Sequence, residues 1–430
     1  MIWSNEESLS RSELEKIQVE KLKDTVAHVY QNVEFFRNKM QNLNVRPEDV
    51  KTLDDLKKLP FSTKEDLRVN YPFGLFAVPE NKVVRLHASS GTTGKPTVVG
   101  YTQKDIDNWS ELIARIVTMA GATVDDKVQI AFKYGLFTGA FGLHYGLEKA
   151  GICVIPTSSG NTEKQLMLMK DFGTTILVST PSYALHMGEI AHSLGIDPKT
   201  DLKIRLGLFG GEGSSEATRE KIQKVWGMLA TENYGLSELI GPGVAGECTH
   251  LNGMHISEDF FLPEIINPKT GEVLPPGEKG ELVITTLNKE ALPLIRYRTR
   301  DITRLFYEPC SCGRTTVRME KISGRSDDML IVKGVNLFPT QVEEVLSKFD
   351  ALGPHYEIVI EKHNYLDSLE IKVELNEDLS IDSYQEFERL EQNIKHELRV
   401  VLGLEPKLNI VNPRTLQRFE GKAKRVYDLR

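Results

Sequence analysis

The chain has 430 residues, 40% hydrophobic and 27% charged, more than one hydrophobic core fills, so at least two domains are expected. A net charge of −8 argues against the basic face that general nucleic-acid binding needs, and no apolar run approaches the length of a membrane span. Four cysteines make no disulfide framework at this length and the first thirty residues are polar, so a cytoplasmic protein with no nucleic-acid or membrane partner is expected.

Residues 1–80 read as a charged helical cap, with Glu13, Ile17, Leu22 and Val26 forming a helical stripe and a second helical segment over 33–40. Residues 87–101 follow, as His-Ala-Ser-Ser-Gly-Thr-Thr-Gly-Lys-Pro-Thr-Val-Val-Gly-Tyr. Here Ser89, Ser90, Thr92 and Thr93 supply hydroxyls, Gly91 and Gly94 let the backbone approach a ligand, and Lys95 adds a positive charge. That is the chemistry of a phosphate cradle. It is not a Walker A loop, because two residues separate the glycines and Lys95 is followed by Pro96 and a strand-like Thr97-Val98-Val99. The loop is expected to join two strands as a hairpin, with an ordinary polar turn as the alternative.

Strands and helices then alternate. Thr102 caps a helix to about residue 120, with Asp105 three residues in. Strands are predicted over 128–134, 153–156, 175–179 and 204–209 and into Tyr234, with helices over 137–150, 163–172 and 181–194 and up to Lys224. Such alternation predicts a largely parallel, helix-covered sheet whose ligands lie outside the carboxyl ends of its strands. The turns Gly210-Gly211-Glu212-Gly213 and Asn233-Tyr234-Gly235 fall at those ends. Residues 253–325 have shorter strands and read as a β-rich subdomain, after which Gly324-Arg325-Ser326-Asp327-Asp328 suits a linker. The expected fold class is α/β, with a large N-terminal α/β domain (1–326) and a small C-terminal α+β domain (327–430).

Cys310 and Cys312 share a tight turn, and Cys248 and His255 open the β-rich segment. Three thiols and an imidazole suit a tetrahedral structural zinc, with His250 as a rival ligand and reduced, unliganded cysteines as the alternative.

The string Ser-Ser-Gly-Thr-Thr-Gly-Lys-Pro at 89–96 resembles the phosphate loop of the adenylate-forming superfamily of acyl-CoA synthetases, adenylation domains and luciferases. Further motifs follow in the superfamily's order. Tyr234-Gly235-Leu236-Ser237-Glu238 resembles its Tyr-Gly-x-Thr-Glu motif, which implies adenine near Tyr234 and Asn233 and Mg²⁺ on Glu238, Ser237 keeping the hydroxyl. By the same resemblance Gly211 and Glu212 form the adenine-side turn, Asp301 holds the ribose hydroxyls, and Arg325 lies near the nucleotide. Asp327 is then the hinge of a mobile C-terminal domain, Gly334 leaves room for pantetheine, and Lys422 is the catalytic lysine. One departure is Ile331, where the family often has a lysine, so that contact is not carried over.

A closer resemblance, over essentially the whole chain, is to the phenylacetate–CoA ligase family, through residues 71–76, 133–146, 325–330 and 334–339. It implies ATP-dependent ligation of an aromatic acetic acid, most directly phenylacetate, to coenzyme A through an acyl-adenylate. Tyr134, Phe141 and Gly235 are then expected beside the acid, with core packing as the alternative for the aromatic residues. Homodimerisation is a further expectation. The competing readings are an aryl-acid adenylation module loading a carrier protein and a catalytically silent nucleotide-binding regulator.

Overall fold

A computed structural model describes residues 1–89, 96–328, 330–332, 335–363, 366–376, 384–420 and 423–430. These residues make two compact units, each mixed α/β. The first comprises Met1–Ser179, Leu202–Gly211 and Leu229–Ile322; the second comprises Thr180–Asp201, Glu212–Met228 and Ser323–Arg430.

The first unit opens with helices α1 (Arg11–Asn32), α2 (Glu34–Asn42) and the short α3 (Lys64–Val69). The buried side of α1 carries Leu14, Gln18, Leu22, Val26 and Val29, so the expected stripe is right at Leu22 and Val26 but not at Glu13, which is exposed. Gln18 escapes a hydrophobicity reading because its buried amide is satisfied, donating to the Glu258 carbonyl at 3.0 Å. Strands β1 (Arg85–Ser89) and β2 (Thr97–Tyr101) pair antiparallel from Arg85↔Tyr101 to Ser89↔Thr97, so the predicted cradle is flanked by a hairpin. Helix α4 (Gln103–Met119) starts at Thr102, whose hydroxyl accepts from the Asp105 N–H while the Asp105 carboxylate accepts from the Thr102 N–H. That reciprocal cap satisfies two otherwise orphaned donors.

Strands β3 (Lys127–Ile130), β4 (Cys153–Ile155), β5 (Ile176–Ser179), β6 (Leu206–Phe209) and β7 (Leu229–Leu236) are parallel, in the spatial order 4-3-5-6-7. Helix α5 (Thr138–Lys149) follows β3, and α6 (Thr162–Phe172) precedes β5. Beyond β7 the sheet turns antiparallel through β8 (Gly241–Glu247) and β9 (Met254–Ile256). Strands β10 (Phe261–Ile266), β11 (Gly280–Thr286) and β12 (Tyr297–Thr303) pair antiparallel in a second sheet. The short β13 (Leu305–Phe306) and β14 (Arg318–Met319) then complete the first sheet at β9. The alternating pattern thus gives parallel strands, and antiparallel pairing begins at β8, ahead of the change of texture near 253.

The second unit contains helices α7 (Pro181–Ser193), α8 (Pro198–Asp201), α9 (Glu216–Trp226), α10 (Pro339–Leu346) and α11 (Tyr384–Leu402). Its four-stranded sheet takes Lys407–Val411, Leu366–Leu375, Leu352–His363 and Val426–Asp428, in that spatial order. Ile358, Ile360, Ile371 and Val373 from the sheet and Ile394 and Leu398 from α11 share its core. Among the described residues, no helix is long and apolar enough to cross a membrane.

Candidate functional site

In the first unit the candidate nucleotide wall is built at the carboxyl ends of β6 and β7, where a parallel sheet leaves its ligand crevice. The Asn233 amide donates to the Phe209 carbonyl at 2.8 Å and ties the two strand ends together. Gly210 is required there, since a Cβ would stand 2.9 Å from the Asn233 carbonyl oxygen. Gly235 is more constrained still, because a Cβ would fall 1.9 Å from the Gly241 carbonyl oxygen as β7 turns into β8. Gly211 takes φ +83°, the left-handed region that glycine adopts without strain.

The Tyr234 hydroxyl donates to Asp301 Oδ2 at 2.6 Å, so the predicted adenine-side tyrosine and ribose aspartate are direct partners. Asp301 is only 4% exposed and is reached from β12, on the other sheet. The Ser237 hydroxyl lies 3.0 Å from that of Thr138 at the start of α5. Glu238, 4% exposed, accepts an ion pair on Oε1 from Lys64 Nζ at 3.1 Å. A carboxylate oxygen of this kind fits Mg²⁺, a hard cation held by few protein carboxylates alongside substrate phosphates.

Of the predicted cradle, Ser89 is described, while Ser90, Gly91, Thr92, Thr93, Gly94 and Lys95 lie outside the described residues. Alternation along the hairpin puts Arg85, His87 and Ser89 on one face with Thr97, Val99 and Tyr101. Among the described residues, the Ser89 and Thr97 hydroxyls, His87 Nε2 and one Arg85 nitrogen on this face are buried without a hydrogen-bond partner. Buried polar atoms are normally satisfied, so this face is built for bound water or ligand.

Beside it stand the aromatic residues. Tyr134 and Phe141 meet edge to face at 5.2 Å, and Tyr145 stacks on Phe141 at 6.3 Å. The Tyr134 hydroxyl lies 3.1 Å from His144 Nδ1, and burial raises the phenol's pKa above its ordinary value. Helix α5 shows which residues are core. Gly142 and Gly146 press against α4 so closely that a Cβ would sit 2.3 Å from Trp109 and 2.2 Å from Ile113. Phe141, His144 and Tyr145 stay half-buried away from that contact. His87, also buried, bonds the Leu136 carbonyl through Nδ1 at 3.0 Å and has its ring 5.8 Å from Phe141.

A second cluster joins the end of β8, strand β9 and the turn after β13. One ligand atom from each of Cys248, His255, Cys310 and Cys312 lies within 4.8 Å of all the others. The Cys248 and Cys310 sulfurs are 3.8 Å apart, and the Cys312 sulfur is 3.5 Å from His255 Nε2. Those two spacings fit edges of the tetrahedron that a structural zinc would take, with metal–sulfur bonds of about 2.3 Å and a metal–nitrogen bond of about 2.0 Å. His255 Nδ1 meets the Thr316 hydroxyl at 3.2 Å, which orients the ring. Burial pushes the Cys248 thiol up to about 12, and burial followed by Arg314 and Arg318 brings His255 down to about 3. Against the opposing effect of burial, the Arg314 backbone N–H and guanidinium hold the Cys312 thiol below its ordinary value. His250 is exposed and outside this group, so the structure selects His255 between the two.

In the second unit Glu212 accepts from the Ser182 N–H at 2.7 Å and from the Ala423 N–H at 3.1 Å, next to the predicted catalytic segment. Arg325 donates to both carboxylate oxygens of Asp327 at 2.9 and 3.0 Å. Gly334 and Lys422 lie outside the described residues.

The structure adds residues that the sequence reading missed. Lys64 has no motif around it, because its partner Glu238 is 174 positions away. Glu189 on α7 gathers His355 at 2.8 Å and Arg418 at 3.2 Å, and Arg418 also pairs with Glu374 at 2.8 Å. Neither long-range arrangement leaves a local signal in the sequence.

Comparison with known proteins gives the family. The pattern of the AMP-binding enzymes matches residues 11–288, and that of the AMP-binding enzyme C-terminal domain matches residues 334–430. The chain is 49% identical to a phenylacetate-coenzyme A ligase of Escherichia coli (strain K12), over 99% of this chain and 97% of that protein. It is 50% identical to a phenylacetate-coenzyme A ligase of Aromatoleum evansii, over 99% and 96%. A crystal structure of 2-hydroxyisobutyryl-CoA ligase in the postadenylation state, in complex with 2-HIB-AMP, superimposes with a TM-score of 0.92 at 26% identity, covering 99% of this chain and 91% of that one.

Proposed function

The chain belongs to the AMP-binding enzymes and is an adenylate-forming acid–CoA ligase, and we propose that its acid is phenylacetate. Two relatives named for that acid, each about half identical over nearly full length, support the substrate. The half-buried aromatic group Tyr134, Phe141 and Tyr145, beside the hairpin that flanks the cradle, suits a flat ring through edge and stacking contacts.

A carboxylate is a poor electrophile, because its charge repels a thiolate and oxide would have to leave. The enzyme removes both obstacles in two steps. A carboxylate oxygen attacks the α-phosphorus of ATP, the bond to the bridging oxygen of the β-phosphate breaks, and pyrophosphate departs. The sulfur of coenzyme A then adds to the acyl carbon, its proton passes to solvent, and the carbon–oxygen bond to AMP breaks. Catalysis of the first step is positioning and charge stabilisation.

In this reading Tyr234 and Asn233 border the adenine, and Asp301 accepts from the ribose hydroxyls while Tyr234 holds its Oδ2. Glu238 would hold Mg²⁺, which supplies charge neutralisation at the phosphates. The cradle from Ser89 to Lys95 takes the outer phosphates, and Lys422 neutralises the reacting carboxylate and α-phosphate. Residues 327–430 turn about Asp327 between the two steps, so that Lys422 serves the first and the segment at Gly334 the second. Cys248, His255, Cys310 and Cys312 would hold one structural zinc; their clustering and two tetrahedral spacings support this.

The observation that carries the substrate assignment is the near-full-length likeness to relatives named for phenylacetate, and the direct Tyr234–Asp301 pair supports the nucleotide half of the reading. The test is pyrophosphate release with a panel of arylacetates, benzoates and fatty acids, with and without coenzyme A. Phenylacetate is expected to give the highest kcat/KM. A benzoate or fatty acid that exceeds it overturns the substrate assignment.

A further inference from the structure

Glu238 is the carboxylate at which the nucleotide's metal is placed, and its Oε1 carries the Lys64 ammonium at 3.1 Å. The lysine comes from the helical cap, a region to which the motifs assign no chemistry, and two features show that its delivery is built in. Ser62, two residues earlier, donates its N–H to the Arg296 carbonyl and its hydroxyl to the Ile295 carbonyl, and its own carbonyl accepts from the Arg298 N–H. The approach to Lys64 is therefore bonded to the beginning of β12, the strand that carries Asp301. Thr63 then caps α3, accepting from the Asp66 N–H, which places Lys64 at the first helical position. The lysine side chain is 39% exposed while its partner is 5% exposed, so the ammonium reaches inward from the surface.

We propose that Lys64 is a further nucleotide-binding residue: its ammonium, beside the Glu238 carboxylate, pairs with the phosphate oxygens that share the metal. A cation within hydrogen-bond reach of a metal-binding carboxylate stands beside the anions that complete the metal's shell. The two charges give opposite signs in two experiments. Lys64 attracts the polyanionic nucleotide and repels a bare divalent cation. A lysine that only braces the fold, or only orients Glu238, cannot do both.

The inference rests on Glu238 as the metal-binding carboxylate, so the experiment carries a separate arm for that premise. The full-length protein, Lys64→Met, Lys64→Arg and Glu238→Gln are compared by calorimetric titration with magnesium ATP and by electron paramagnetic resonance titration with Mn²⁺ alone. Lys64→Met is expected to weaken magnesium ATP about tenfold, the loss of one charge-assisted contact, and to bind bare Mn²⁺ as tightly as the parent or more tightly. Lys64→Arg, which keeps the charge if the Met variant fails to fold, is expected to retain nucleotide affinity within about threefold. Parallel weakening of nucleotide and Mn²⁺ in Lys64→Met, or no change in nucleotide affinity, overturns the proposal. Mn²⁺ binding by Glu238→Gln equal to that of the parent overturns the premise instead.

Discussion

Two buried carboxylates of the first unit, Glu238 and Glu258, have opposite surroundings. Glu258 takes a forked pair from Arg11, 2.7 Å to each oxygen, and a third bond from the Val317 N–H at 2.6 Å. It binds the N-terminal helix to the β-rich segment, with both oxygens engaged by the fold. Glu238, equally buried, has one ion-pair partner among the described residues, at one oxygen, and that partner is a part-exposed lysine. A carboxylate saturated by a rigid guanidinium serves the fold, and one held by a single ammonium is available for exchange. Burial alone does not separate the two roles; the number and stiffness of the partners does.

Glu238→Gln removes the charge proposed to hold Mg²⁺ while nearly keeping the shape. Adenylate formation, followed by phenylacetate-dependent pyrophosphate release, is expected to fall by about a hundredfold or more, with little change in melting temperature. Glu258→Gln reverses this: specific activity of the folded protein stays near the parent's, and chemical denaturation shows a loss of about 2–3 kcal/mol as the Arg11 fork loses its charge partner. If both substitutions act mainly on activity, or both mainly on stability, the contrast fails.

The cysteine cluster lies between these extremes, as a candidate ligand site with a structural purpose. Metal analysis is expected to give about one zinc per chain, and Cys310→Ser to lower stability by about 2 kcal/mol or more with KM values unchanged. Metal-free protein of normal stability contradicts the site. In the proposed acid pocket, Phe141→Ala is expected to raise KM for phenylacetate about tenfold and leave KM for ATP nearly unchanged. Equal changes in both KM values identify Phe141 as core.

The smallest effect concerns a buried charge with still less support. Lys289 Nζ is buried without a hydrogen-bond partner, 3.3 Å above the centre of the Tyr101 ring, and burial brings its pKa down from 10.5 to about 8. Between pH 8 and 10.5 the unfolded chain binds the extra proton, so stability from this group rises with pH across that window, and the folded state bears the full cost below it. Lys289→Met is therefore expected to stabilise the protein by about 1–2 kcal/mol at pH 7, an advantage that shrinks as the pH rises, since the lost contact with Tyr101 offsets part of the gain.

Much of this was legible because it is local. The Thr102–Asp105 cap, the turns after β6 and β7, and the short strands beyond 253 each declare themselves within a few residues. The cysteine cluster was legible for another reason, in that the chain has few thiols and three of them sit in one segment. Gln18 was not legible, since only a carbonyl 240 positions away explains a buried amide on the core stripe of α1. Lys64 and Glu189 were hidden in the same way, each a plain charged residue on a helix until the fold brings its partners. The resemblance named Tyr234 and Asp301 separately; only the structure makes them a bonded pair.

The most direct test of the central claim is a single-turnover reaction of the purified protein with phenylacetate and ATP, first without and then with coenzyme A. The account predicts enzyme-bound phenylacetyl-adenylate and one pyrophosphate in the first stage, then phenylacetyl-CoA and AMP in the second. Release of ADP and phosphate, or thioester formation with no adenylate preceding it, would contradict it.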